Sequence, residues 1–361
     1  MLRMLGSVVL LSALAACARS PEGASRSAVE QAAPSDAVRP PGEGANPPGT
    51  GTVYTADEGS SSISAVDVAS GRTRSVHVGI APHNVQISSD GSTLFAVGSS
   101  HEHLGQGTLL VIRPQDIERP RAFITVANHP AHVVVDRAGE RAYVTNSADD
   151  TLAVVDLGQE RTLRVIAVCG GPHGLRMSPD EREIWVACVD SGEVGVVDVA
   201  RGELVERVAV GRAPVQVGFT PDGQRVYVTL RDDDAVAVVD AATRRVRSTV
   251  PVGRGPVQLH ATPDGRLVYV ANQGTEDQPD ERVSVIDSAT DEVVATLTTA
   301  AGAHGVAVSG DGAWVFVTNT FADSLSFVDV SAQRVVRTVA VGGRPGGVTW
   351  SPVTEEGPAP E

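Results

Sequence analysis

"AYVTNSADDTLAVVDL" occupies residues 142–157, and the chain restates it as "VYVTLRDDDAVAVVDA" at 226–241 and "VFVTNTFADSLSFVDV" at 315–330. Each copy reads as a Val-rich strand, an acidic turn and a second strand closed by Asp. The aromatic residue of the first strand recurs further, at Tyr54, Phe95, Tyr143, Trp185, Tyr227, Tyr269 and Phe316, at intervals of 41 to 48 residues. The closing Asp recurs as Asp67, Asp156, Asp198, Asp240, Asp287 and Asp329, with Arg113 in its place in the second copy. A third strand then runs to Val-Gly, as in "RVAVG" at 207–211. A fourth starts at Pro and ends in a turn, as in "APVQVGFTPDG" at 213–223. In that turn Pro presets φ, Asp bonds to nearby backbone and Gly accepts the positive φ that other residues resist.

Four short strands repeated seven times is the pattern of propeller blades. The expected fold is therefore all-β, a seven-bladed β-propeller. The first copy, starting at "VYTAD", lacks a Pro-led strand, and the last ends with a surplus one, "RPGGVTWSP" at 344–352. That C-terminal strand is expected to complete the N-terminal blade and close the ring, which removes open sheet edges. The recurrent closing Asp reads as a turn cap.

These runs resemble the YVTN-type β-propeller repeat family over about residues 52 to 352. The full motif stands at Tyr143–Asn146, and degenerate forms such as "WVAC" and "YVAN" stand elsewhere. The resemblance implies a bacterial secreted or lipoprotein propeller and leaves activity open, because the family is functionally mixed.

The ends read differently. "MLRMLGSVVLLSALAAC" has Arg3, an apolar stretch from about Val8 to Ala16, and an ending similar to a lipobox at Leu14-Ala15-Ala16-Cys17. The apolar stretch is too short to span a bilayer. Residues 1–16 are expected to be a lipoprotein signal peptide and Cys17 the lipidated residue. The alternative is an ordinary secretory signal with a chance Cys. Residues 17–50, rich in Pro, Gly, Ser and Ala, are expected to form a disordered tether, 51–352 the propeller, and 353–361 a disordered tail. The expected setting is the periplasm, on the outer membrane. A formal charge of −15 with pI near 5.0 argues against nucleic acid, whose phosphates need basic patches. It suits a basic or metal-carrying protein partner of a monomeric propeller.

The nine histidines carry the chemical signal. His83, His173 and His304 hold the second position of a Pro-led strand, and His132 the third. His129 precedes one such strand by a residue, and His101 and His103 sit in the insertion "SSHEHLGQG". These seven are expected at one mouth of the central channel, with His77 and His260 elsewhere. Cys169 replaces the usual Gly and Cys188 the usual Asn on either side of the hairpin carrying His173. Converging imidazoles and thiolates would make a site for copper or zinc. Two cysteines left in an oxidising compartment would equally make a disulfide, and both readings of the pair stay open. On the same face Asp149, Asp150, Asp232, Asp233 and Asp234 form an acidic rim, either a solvated edge or an attractor of cations.

Three functions fit. The first is a lipid-anchored binding or scaffold propeller whose histidine mouth takes a transition metal, a metal-bearing cofactor or a partner segment. The second is an enzyme, since lactonases, haem-d1 propellers and quinoprotein amine dehydrogenase chains look similar. In that reading His83, His173 or His304 would act as base or axial ligand. The third is an interaction domain working through its acidic rim alone. The chain contains no Cys-x-x-Cys-His, Gly-x-Ser-x-Gly or His-Glu-x-x-His.

Overall fold

Short Val-rich segments that alternate in and out, cut by Asp-Gly turns, can bury both faces only by stacking sheet on sheet. The computed structural model describes residues 49–100 and 106–354. Its twenty-eight strands form seven antiparallel four-stranded sheets, and inside six of them the strands pair in chain order. Six blades are contiguous in sequence. The remaining blade takes its innermost strand, Pro345–Ser351, from the C-terminus and pairs it with Thr52–Asp57. The ring is closed as the surplus strand required.

Each blade buries aliphatic side chains and at least one aromatic against its neighbours. Trp185, Tyr54, Tyr227, Tyr269 and Phe316 are all 1 % exposed or less. At about 1.5–3 kcal/mol per fully buried large apolar side chain, these inter-blade layers are the main stabilising term. The closing Asp does cap turns: Asp67, Asp156, Asp198 and Asp240 each accept a backbone N–H three residues on, at 2.7–2.8 Å.

The acidic pairs of the opening phrase have a comparable task. Asp149 accepts from the backbone of Asn128, in the loop entering its own blade's inner strand (2.7 Å). Asp150 accepts from Gly171, in the loop entering the next blade's inner strand (2.9 Å). Two blades on, Asp233 and Asp234 repeat the clamp on Arg212 and Gly255. Asp232 pairs with Arg231. The expected rim is thus a set of braces between blades, with its carboxylates committed to N–H groups and arginines.

The innermost strands are Ile80–Ile87, Pro130–Val135, Pro172–Met177, Pro214–Phe219, Pro256–Ala261, Ala303–Val308 and Pro345–Ser351. Pro is tolerated as a first strand residue because it has no N–H for the ladder. Just after it the pairing slips, between Pro130 and Val133, Pro172 and Leu175, Pro214 and Val217, Pro256 and Leu259, and Ala303 and Val306. Such bulges re-aim side chains. The histidines lie inside these slips: His83 between Pro82 and Asn84, His132 between Pro130 and Val133, His173 between Pro172 and Leu175, and His304 between Ala303 and Val306.

Candidate metal centre

The bulge in the third blade is held by one hydroxyl. Thr145 accepts the backbone N–H of His132 at 3.0 Å and donates to the carbonyl of His173 at 2.6 Å. Thr229 and Thr318 repeat the arrangement at Gln216 and Val257, and at Gly305 and Gly346. The Thr of the repeated phrase therefore sets the spacing between adjacent inner strands. In the third blade that spacing brings His132 and His173 to a ring-centroid distance of 4.9 Å.

His83, from the second blade, completes a trio in which one nitrogen from each ring lies within 4.8 Å of the others. Their partners fix the tautomers. His83 Nδ1 lies 3.2 Å from Glu58 Oε2, and His173 Nδ1 lies 3.2 Å from the Val215 carbonyl. Both acceptors take a proton from Nδ1, which leaves the Nε2 of the neutral His173 ring with a lone pair. The Nε2 atoms of His83 and His173 face each other at 3.2 Å. His132 is wholly buried, and neither of its ring nitrogens has a hydrogen-bond partner.

Burial, reinforced by the neighbouring imidazoles, holds His132 well below the usual histidine range and brings His173 down to about 3. Burial likewise lowers His304 to about 4. Neutral rings are the ligating form. Partial burial acts to raise Glu58, but the hydrogen bond and charge of His83, with Arg344, outweigh it and hold the carboxyl below its ordinary range. A cavity of about 200 Å³ opens beside the trio, lined by Glu58, Ser99, His129, Ser147 and other residues of the mouth.

Sequence reasoning placed these residues unevenly. His304 is close, 6.3 Å from His83 between ring centroids, but outside the trio, and its Nδ1 is buried and unpartnered. His129 is exposed at the cavity edge with φ +48°, and its carbonyl anchors Ser147. His101 and His103 lie outside the described residues, as does Cys17. Cys169 and Cys188 are joined to each other as a disulfide, with Cα atoms 5.8 Å apart. Bonded sulfurs offer no thiolate, so the mixed imidazole–thiolate site gives way to an all-imidazole one. A hairpin register centred near Asp180–Glu181 would set His173 opposite Cys188; Pro172 stands there instead, because the bulge absorbs His173. Glu58 and Val215, the groups that orient the rings, carried no motif and were missed as such.

Seven four-stranded sheets closed by a terminal strand settle the architecture. The chain is a seven-bladed β-propeller repeat protein. Comparison with known proteins agrees with that assignment. The YNCE-like beta-propeller family matches residues 183–354, and the SMP-30/gluconolactonase/LRE-like region matches residues 81–232. No curated protein matches the chain. Among solved structures, the propeller resembles one from Kuenenia stuttgartiensis hydrazine synthase: 23% identity, 75% of this chain and 90% of that one, TM-score 0.64. A protein of unknown function from Desulfotomaculum acetoxidans aligns with TM-score 0.71 at 17% identity, over 83% of this chain and 99% of its own. A candidate 6-phosphogluconolactonase of Bacteroides fragilis aligns with TM-score 0.70 at 14% identity, over 84% and 98%. At these identities the likeness is one of fold.

Proposed function

We propose that this propeller is a binding protein that holds a first-row transition ion, zinc or copper, through His83, His132 and His173 at one mouth of its channel. One observation carries the reading: one ring nitrogen from each of three histidines on three blades lies within 4.8 Å of the others, with two Nδ1 atoms turned to Glu58 and Val215 and the two opposite Nε2 atoms 3.2 Å apart. Ring nitrogens this close share a proton or a cation. The spacing is also near the edge, about 3.3 Å, that two nitrogens make when each binds a tetrahedral ion at about 2.0 Å. Metal-ligating histidines ordinarily give their second N–H to a carboxylate or carbonyl, the pattern of Glu58 and Val215. All-nitrogen donor sets suit zinc and copper among the available ions. The Glu58 side of the site is open, which leaves a position for water, a cofactor group or a partner's side chain.

The test is metal titration of the purified chain after exhaustive chelation. The expected result is a single equivalent of Zn(II) or Cu(II) bound. Loss of that equivalent is expected in His132→Phe and His173→Phe, with the β-sheet circular dichroism retained. Titration with no stoichiometric uptake by the wild-type chain would overturn the reading.

A second reading has support from the gluconolactonase-like match, which spans the three histidines. An ion with three protein nitrogens and an open position can lower the pKa of a bound water and hydrolyse an ester or lactone. Metal-dependent turnover of simple lactones, lost with His132→Phe, separates it from binding alone. The setting we infer is extracytoplasmic, with Cys17 as lipid anchor on the outer membrane and a basic or metal-carrying protein as partner. The lipobox-like ending and the Cys169–Cys188 pair, typical of oxidising compartments, support that setting.

A further inference from the structure

The channel has a second mouth, built from the far ends of the same inner strands. Counted from Pro82, Pro130, Pro172, Pro214, Pro256, Ala303 and Pro345, the fifth positions are Gln86, Val134, Arg176, Gly218, His260, Ala307 and Thr349. All but Gly218 line one cavity of about 370 Å³, together with Val306, Val348 and Trp350. No carboxylate lines it. Among the described residues Arg176 forms no ion pair, and its guanidinium donates to the adjacent Leu175 carbonyl at 3.2 Å. Burial alone brings it down to about 10, so it remains a cation at neutral pH. In a chain of formal charge −15, an inward-facing arginine without a counter-ion needs an explanation.

Its neighbour supplies the complement. His260 Nδ1 lies 2.9 Å from the Ala261 carbonyl and donates to it. Burial, and then the charge of Arg176, lower His260 to about 4, so its Nε2 presents a lone pair to the cavity. One tier further in, Gln258 and Gln216 are 3 % and 1 % exposed, and each has a side-chain amide nitrogen without a partner. The cavity therefore offers a fixed cation and one imidazole acceptor against an apolar wall of valines and Trp350, with the unpartnered Gln258 and Gln216 amides one tier further in.

We propose that this second mouth binds a small hydroxy-carboxylate: the carboxylate on Arg176, the hydroxyl donating to His260 Nε2, and the carbon skeleton against Val306, Val348 and Trp350. A planar guanidinium recognises carboxylate through paired N–H donors. A neutral imidazole acceptor rewards a ligand that brings its own O–H and is left unpaired by one that does not. The site is separate from the histidine trio and stands whether or not that trio holds metal.

The experiment uses metal-free purified chain, so that chelation at the other mouth does not contribute, with lactate and propionate as probes and Trp350 fluorescence as readout. Saturable change with lactate is expected, and propionate is expected to bind roughly tenfold more weakly for want of the hydroxyl. Arg176→Gln should abolish both responses. His260→Phe should bring lactate down to the level of propionate, and Trp350→Phe should remove the signal. Should Arg176→Gln fail to fold, Arg176→Lys serves: it keeps the charge without the planar fork and is expected to weaken lactate by roughly tenfold or more. Absence of saturable lactate binding by the wild-type chain, equal affinity for the two acids, or wild-type affinity in Arg176→Lys or His260→Phe would each overturn the proposal.

Discussion

Thr145 donates its hydroxyl proton to the carbonyl of His173, 2.6 Å away across a blade boundary. The same oxygen accepts the N–H of His132. One side chain thus sets the backbones of two of the three clustered histidines, and it does so with a residue that recurs as Thr229 and Thr318 where no histidine trio exists. Thr145→Val keeps the shape and removes the donor and acceptor. It leaves a buried N–H and C=O unsatisfied, so a loss of about 1–3 kcal/mol in unfolding free energy is expected. Metal affinity should fall by roughly 10–100-fold, the usual effect of losing a group that orients ligands. Thr229→Val should cost comparable stability and leave metal affinity unchanged. Equal effects of the two substitutions on metal binding would show that Thr145 has no positioning role.

Asp57 sits where Asn319 sits in the seventh blade. Asn319 donates to the hydroxyls of Ser324 and Ser326, five and seven residues on, and Asp57 accepts from Ser62 and Ser64 at the same offsets. Asp57 is fully buried, and burial outweighs its hydrogen bonds to raise its pKa from 3.8 to about 6. Between those values the folded chain holds a proton that the unfolded chain has lost, so stability falls as pH rises through this window. Above pH 6 the ionised group is a standing cost. Asp57→Asn should therefore stabilise the protein near pH 7 by on the order of 1–3 kcal/mol, with the gain shrinking as pH falls toward 4. Denaturant midpoints of the two proteins across that range measure it. A variant less stable than wild type at pH 7 would contradict the assignment.

The ring was legible because a propeller repeats its local rules. Aromatic spacing, Pro-led strands and Asp-Gly turns each recur often enough to count, and the orphan strand "RPGGVTWSP" announced its own partner. The histidine mouth was legible in part for the same reason, since equivalent positions in a closed ring converge. What hid the rest was the bulge. It shifts register by local backbone geometry that no residue type marks, so counting could not show that Pro172, and not His173, stands opposite Cys188. Glu58 carries no motif, and only its contact with His83 Nδ1 distinguishes it from other acidic loop residues. The cysteines were ambiguous for a physical reason: they occupy a Gly–Asn pair of positions that face each other in other blades. A Cβ on Gly253 would press on the Asn272 side chain.

That pairing makes the disulfide a brace for the inner strand that carries His173. The bond closes a separation of 19 residues, for which chain-entropy reasoning gives about 3 kcal/mol. Reduction, or Cys169→Ala with Cys188→Ala, should lower the melting temperature. It should also weaken metal binding, because Cys169 and Cys188 flank the Pro172–Met177 strand. Thermal unfolding with and without reductant, each with and without one equivalent of zinc, reads both. A reduced protein that binds zinc as tightly as the oxidised one would confine the bond to stability.

Acid should unfold this protein through its histidines. Burial holds His132 far below 6.5, His173 at about 3, and His260 and His304 each at about 4. In the unfolded chain all four titrate near 6.5. As pH falls from about 6.5 toward 4, the unfolded chain takes up four protons that the folded chain does not, and stability declines at on the order of 1 kcal/mol per pH unit for each. Asp57 works the other way over part of that window, one group against four. Below about 4 the folded chain begins to protonate His260 and His304 as well, and the decline flattens. Bound metal deepens the dependence, because ligation requires the same neutral rings that acid removes. Chemical denaturation of metal-free protein near pH 7 and near pH 5 should therefore show a large loss of stability, and His304→Asn should reduce the slope by about one proton. Equal stability at the two pH values would mean that the clustered rings take up protons as readily in the folded chain as in the unfolded one, which contradicts rings held neutral by burial.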